Sequence, residues 1–328
     1  MAPHKGSLTL GAIRLFPIVM NNSLTPTSLE FVSCPHPEGL HRMAYWRWGD
    51  ASARRLVVCV HGLTRQGRDF DRLAQALVAR SVEPLQVICP DVVGRGRSEW
   101  LSDPMGYQIG QYASDMLAML AQISAQLGSG QTLQSLDWVG TSMGGLIGMV
   151  MAGQPGLPLP APIRRLVLND VGPAITWSSV ERMQQYVGHY GQYGDLKEAA
   201  AVMRSISQGF GPVPDEVWLD MSSHMIRPGA DGTVTLHYDP AIGQPLRSLT
   251  PEAAMAGEAA LWTMYDQIKA QTLLIRGADS DLLTAETALS MTQRGPRAAL
   301  ESWAGIGHAP TLTSSHQIDV AANFLLAD

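Results

Sequence analysis

The chain is poor in cysteine, with three in 328 residues. Cys34, Cys59 and Cys89 are too few and too scattered for a disulfide framework. Cys59 and Cys89 lie in the apolar runs LVVCV and LQVIC and read as small buried core residues. There is no C-x-x-C or H-E-x-x-H spacing, so no metal site is expected. Charge is also scarce, at 16% Asp, Glu, Lys and Arg, with a net charge of −6. No basic run exceeds a dipeptide, which argues against a nucleic-acid partner. No run approaches 18 apolar residues, so no membrane span is expected. The N-terminal stretch MAPHKGSLTLGAIRLFPIVM starts basic, but Arg14 and Pro17 break its apolar part and no A-x-A-like cleavage site follows. The expectation is a loose arm over residues 1–27 and a reduced, cytoplasmic setting.

What remains is a chain of 45% hydrophobic residues, long enough for one α/β domain with an insertion. Short apolar runs alternate with helix-length amphipathic stretches, the pattern of a mostly parallel central sheet flanked by helices. Candidate strands are LEFVSC at 29–34, RMAYWRW at 42–48, RLVVCV at 55–60 and LQVICPD at 85–91. LDWVG at 136–140, RRLVLND at 164–170, QTLLIRG at 271–277 and AALESW at 298–303 complete the set. The rhythm breaks once, where about 100 residues separate Asp170 from Gln271. This segment lacks strand patterning, so a largely helical cap is expected over 173–260. The core then spans 28–172 and resumes over 261–328.

Chemistry concentrates at the ends of these strands. Gly140-Thr141-Ser142-Met143-Gly144 stands between a strand-like LDWV and a helix-like GLIGMVMA. A sharp strand-to-helix turn there lifts the Ser142 hydroxyl above the sheet, and small neighbours let the backbones pass closely. The Met143 N–H, at the helix start, can then face a developing oxyanion. His61-Gly62-Leu63 follows RLVVCV, and the Leu63 N–H is the second oxyanion donor in this reading. His61 precedes Ser142 and reads as structural, because a triad of this kind runs serine, acid, histidine along the chain. Of the five histidines after Ser142, only His308, in Gly305-Ile306-Gly307-His308, has a glycine-rich loop just past a strand. It is assigned as the general base. For the carboxylate that orients it, Asp281 is favoured, with Asp279 as the alternative, both following LLIRG. Asp170, after the preceding strand, is a third candidate and reads as structural.

The motifs VCVHGLTR, ICPDVVGRGRS, WVGTSMGG, LVLNDVGP, LLIRGADSD and GIGHAP occur in this order. On them the chain resembles the α/β-hydrolase superfamily, especially bacterial esterases, enol-lactonases and C–C bond hydrolases. The resemblance covers about residues 55–145, 164–172 and 271–310 and is much weaker in the insertion. In relatives the acid commonly lies three residues after the strand-end glycine, which here is Ser280, flanked by Asp279 and Asp281. The resemblance implies that His308 deprotonates Ser142, that Leu63 and Met143 stabilise the oxyanion, and that water releases an acyl-enzyme without cofactor or metal.

The insertion is rich in Met, Tyr and Trp. Most of these pack it against the core, and a subset is expected to line an apolar pocket, with Trp177 and Trp262 as candidate substrate contacts. Arg65 either holds a substrate carboxylate or pairs with a neighbouring acid. The leading expectation is a carboxylesterase for small or medium acyl esters, acting as a monomer or homodimer on a small-molecule ester or lactone. Enol-lactone or C–C bond hydrolysis is the nearest alternative, followed by acyl transfer, cofactor-free peroxidation and a non-catalytic receptor of the same fold.

Overall fold

The structure, a computed structural model, describes residues 25–189, 191–229 and 231–327. Most of the expected N-terminal arm lies outside the described residues.

Ten α-helices and eleven strands are present among the described residues. Eight strands form the central sheet: β1 (Ser28–His36), β2 (Gly39–Gly49), β3 (Arg55–Val60), β4 (Leu85–Asp91), β5 (Ser135–Thr141), β6 (Ile163–Asn169), β10 (Gln271–Gly277) and β11 (Ala299–Trp303). Their spatial order is β1-β2-β4-β3-β5-β6-β10-β11. β2 runs antiparallel to both β1 and β4, and the remaining pairings are parallel. The sheet is therefore the mostly parallel one expected, with every strand close to its expected position.

Burial explains the apolar runs. The central parallel strands are covered on both faces, so they read as nearly continuous hydrophobic sequence. Along β3, Leu56, Val58 and Val60 face one core cluster and Val57 and Cys59 the other, following the two-residue period of a strand. Helices α1 (Asp71–Arg80) and α10 (Ser315–Leu326) close the second face through Leu73, Leu77, Ile318 and Leu325. Helices α2 (Ile109–Gln126), α3 (Met143–Gly153) and α9 (Ala285–Gln293) close the first through Met116, Met119, Ile147 and Met291. All three cysteines are buried and unpaired.

Between β6 and β10 the chain forms α4 (Trp177–Tyr186), β7 (Gln192–Tyr193), α5 (Leu196–Ile206), α6 (Asp215–Ser223), β8 (Ile226–Pro228), β9 (Val234–Leu236), α7 (Gly243–Arg247) and α8 (Pro251–Gln267). β7, β9 and β8 make a small antiparallel sheet in a segment expected to lack strands. Strands of two or three residues are too short to leave an alternating pattern in sequence. Helix α8 runs through the expected division at 260/261 and packs on α3, with Tyr265 wholly buried in the core.

The insertion rests on loops at the carboxyl ends of the strands. Asp239 N–H donates to the Gly94 carbonyl at 2.8 Å, Gly96 N–H to the His237 carbonyl at 3.1 Å, and Gly307 N–H to the Gly209 carbonyl at 2.7 Å. It thus covers the end of the sheet where open α/β sheets place their ligands. No helix among the described residues is long and apolar enough to cross a membrane.

Candidate active site

Ser142 occupies the turn between β5 and α3 with φ 51° and ψ −117°, a region a side-chain-bearing residue enters only when its surroundings force it. The forcing is visible in the packing. A Cβ on Gly144 would lie 2.0 Å from the Val60 carbonyl oxygen, and one on Gly140 2.3 Å from that of Gly144. Only glycines let helix and strand approach so closely. Ser142 N–H donates to the Asn169 carbonyl at 3.0 Å, anchoring the turn to the end of β6.

Three side chains meet at this turn. His308 Nε2 lies 2.9 Å from Ser142 Oγ, and His308 Nδ1 lies 2.7 Å from Asp170 Oδ2. A carboxylate at Nδ1 accepts its proton, leaving Nε2 free to accept from the serine hydroxyl. The Asp170 carboxylate is wholly buried, and among the described residues no Lys or Arg forms an ion pair with it. Both its oxygens accept hydrogen bonds: Gly277 N–H donates to Oδ1 at 2.8 Å, and Ser280 Oγ donates to Oδ2 at 2.6 Å. Ser142, His308 and Asp170 therefore form a hydrogen-bonded series able to draw a proton from the serine and hold an imidazolium.

This corrects the expected acid. Asp281 is exposed, and its carboxylate pairs with Arg182 at 2.7 Å on the insertion. Its carbonyl accepts from Thr176 Oγ1 at 2.7 Å and Ser179 Oγ at 2.8 Å, so it holds α4 rather than His308. Asp279 is also exposed. The physical reason is lateral: β6 and β10 are parallel neighbours, so the ends of both strands lie beside the same histidine loop. A carboxylate from β6 reaches His308, and Ser280, the position where the resemblance would put an acid, supports it instead. The signal available in sequence was an Asp directly at the end of an apolar strand, two residues before Gly172.

The two expected oxyanion donors sit beside Ser142. A Cβ on Gly62 would lie 3.7 Å from Ser142 Cβ, so the turn after β3 abuts the serine. The Gly62 carbonyl accepts from Arg65 N–H at 3.0 Å and from His61 Nδ1 at 2.7 Å. The same trans peptide must then point its other end, the Leu63 N–H, the opposite way. Met143 is the first residue of α3, where N–H groups have no partner within the helix and the helix dipole is positive. Arg95 is a residue of this neighbourhood that the sequence reading did not single out. Wholly buried, it donates from Nε to the Leu63 carbonyl at 2.8 Å and reaches Met143 Sδ at 3.7 Å, linking the turn after β3 to the Met143 side chain. Its clue in the sequence was membership of the motif ICPDVVGRGRS.

His61 is structural, as expected. Its Nε2 accepts from Val92 N–H at 2.9 Å, and complete burial pushes its pKa down to about 3. A histidine depressed from 6.5 stabilises the fold fully above 6.5 and loses that contribution as pH falls toward 3. Stability is therefore expected to drop by about 1.4 kcal/mol per pH unit from this residue through that window. Denaturant titrations at pH 6 and pH 4.5 should show a shallower slope in His61→Gln than in the wild type.

The substrate-contact expectations divide. Arg65 borders a small cavity with Gly62, Thr141 and Phe210, but both arms of its guanidinium bind Asp69 at 2.7 Å. Trp177 is half-buried at the start of α4. Trp262 faces a groove bordered by Ala174, Glu286 and Arg294, stacks edge-on against Tyr265, and is not brought to Ser142 or His308. A separate buried trio, Cys34, His41 and Asp115, lies between β1, β2 and α2 and has the residue types of a metal site. Its carboxylate is already met by His41 at 3.0 Å and Gln111 at 2.7 Å.

The fold has counterparts among known proteins. Residues 55–202 match a family model described as the alpha/beta hydrolase fold. The chain is 46% identical to a 3-hydroxybutyrate-oligomer hydrolase from Cupriavidus necator over 299 residues, covering 90% of this chain and 97% of that one. It belongs to the α/β-hydrolase family. Among solved members of this fold, an α/β hydrolase from Novosphingobium aromaticivorans is 32% identical with a TM-score of 0.74, covering 90% of this chain and 98% of that one. A protein from Rickettsia typhi superposes with a TM-score of 0.77 at 25% identity, covering 92% and 100%. In this α/β hydrolase the β5–α3 turn, the turn after β3 and the His308 loop all gather at the carboxyl end of the sheet, beneath the insertion.

Proposed function

We propose that the protein is a serine hydrolase of carboxylic esters, acting on short hydroxy-acid ester oligomers of the 3-hydroxybutyrate type. The observation that carries the chemistry is the unbroken hydrogen-bonded series Ser142–His308–Asp170 at the turn with φ 51°. The substrate class is supported by the 46% identical relative named for oligomers of 3-hydroxybutyrate.

In this reading His308 Nε2 takes the Ser142 proton as Oγ attacks the ester carbonyl. The Leu63 and Met143 N–H groups hold the oxyanion, and Asp170 stabilises the imidazolium. Collapse of the tetrahedral intermediate breaks the ester C–O bond, and His308 returns the proton to the departing alkoxide. Water then attacks the acyl-enzyme with the same histidine as base, releasing the acid. The insertion serves as a cap that excludes bulk water and shapes the acyl and alcohol sites.

A fluorophosphonate probe tests the central assignment. Stoichiometric labelling is expected, with the mass increase on the peptide containing Ser142. Labelling at another residue, or none from folded protein, would remove the serine mechanism.

A further inference from the structure

The loop between α5 and α6 forms a groove that the catalytic series does not use. Gln208–Phe210 make a single tight turn laid directly on the His308 loop. Gly307 N–H donates to the Gly209 carbonyl, and a Cβ on Gly209 would lie 2.7 Å from the His308 carbonyl oxygen. From this turn a groove of about 520 Å³, lined by Arg204, Phe210, Pro212, Val213, Pro214 and Trp218, leads outward along the insertion. That volume suits a small organic ligand. Phe210 also borders the cavity beside Gly62, Arg65 and Thr141, so this one side chain stands between the groove and the turn that abuts Ser142.

The groove is mostly apolar, with Ser207 and Gln208 as its neutral polar side chains. Among its lining residues only Arg204 is ionic. Its guanidinium lies 5.4 Å over the Trp218 ring and 2.7 Å from Asp215. Arg204 is 43% exposed and Asp215 94% exposed, so this pair is held weakly and a ligand carboxylate can share or replace the aspartate.

The chemistry of the reaction says which half of a substrate belongs here. His308 must hand its proton to the leaving alkoxide, so the alcohol half departs on the histidine side, where the groove begins. In a linear hydroxy-acid oligomer the acyl half keeps the hydroxyl end, and the alcohol half always carries the free carboxylate. We propose that this groove receives the alcohol half of the substrate and that Arg204 binds its terminal carboxylate, making the enzyme selective for acidic ester oligomers. This rests on the ester-oligomer reading above.

The test compares the linear trimer of 3-hydroxybutyrate as its free acid and as its methyl ester, with wild type, Arg204→Gln, Arg204→Lys and Arg65→Gln. The readout is the ratio of kcat/KM for the two forms within each preparation, so changes in folded fraction cancel. Wild type is expected to prefer the free acid. Arg204→Gln should cut that preference about tenfold, mainly through KM, and Arg204→Lys should keep most of it. An unchanged ratio in Arg204→Gln overturns the groove assignment, as does a preference abolished only by Arg65→Gln. Wild type that is labelled at Ser142 yet hydrolyses neither trimer overturns the oligomer reading and the groove assignment together. Trimer hydrolysis with an unaffected ratio overturns the groove assignment alone.

Discussion

Ser142→Ala is expected to lower kcat on a soluble ester by about 10⁵- to 10⁶-fold, with fluorophosphonate labelling lost and the fold retained. Alanine keeps the Cβ and fills the same space, so the packing of Gly140, Gly144 and Val60 around the turn is undisturbed. What disappears is the hydroxyl that lies 2.9 Å from His308 Nε2. Because alanine tolerates φ 51° no better than serine, the backbone strain stays in place. Ser142→Gly should release it, so Gly at this position is expected to be inactive but more stable than Ala, by about 1 kcal/mol in urea denaturation. An alanine variant that kept more than a hundredth of wild-type kcat would sink the assignment of the nucleophile.

Asp170→Asn is expected to lower kcat about 10⁴-fold with little change in KM. The amide oxygen can take the place of Oδ1 and still accept from Gly277 N–H. Its NH₂ group then faces His308 Nδ1, where it can only donate. The histidine is forced to carry its proton on Nε2, the nitrogen that must accept from Ser142. Asp281→Asn should stay within about twofold of wild type, because its exposed pairing with Arg182 contributes little and touches no reacting group. Steady-state kinetics on both variants, with folding checked by circular dichroism, separates the two aspartates. A large loss in Asp281→Asn beside an active Asp170→Asn would restore the acid expected from the sequence.

Much of the molecule was legible in the sequence. The sheet strands announced themselves because burial on both faces demands continuous apolar residues, as in RLVVCV and LQVICPD, and glycine or proline marks where they stop. Ser142 was legible because its turn tolerates only small neighbours, which leaves a fixed pattern of glycines on both sides. His308 was legible for a related reason, since its loop must fold back tightly over the sheet end and carries Gly305 and Gly307. Such requirements are local, and local requirements are written in consecutive residues.

The remaining features depend on which strand ends lie side by side. Asp170 and Asp281 each follow an apolar strand, and nothing in either neighbourhood of sequence says which one meets His308. Arg95 contacts Leu63 and Met143, one after β3 and the other opening α3, so this link exists only after β3, β4 and β5 have paired. The strands β7, β8 and β9 are too short to show a period, and their pairing is set by contacts across the insertion. By itself the sequence determined the parallel sheet, the strained serine turn and the histidine loop. Only the tertiary structure decided which aspartate meets His308, through the lateral pairing of β6 with β10 that sets Asp170 beside it and leaves Ser280 to hold it there.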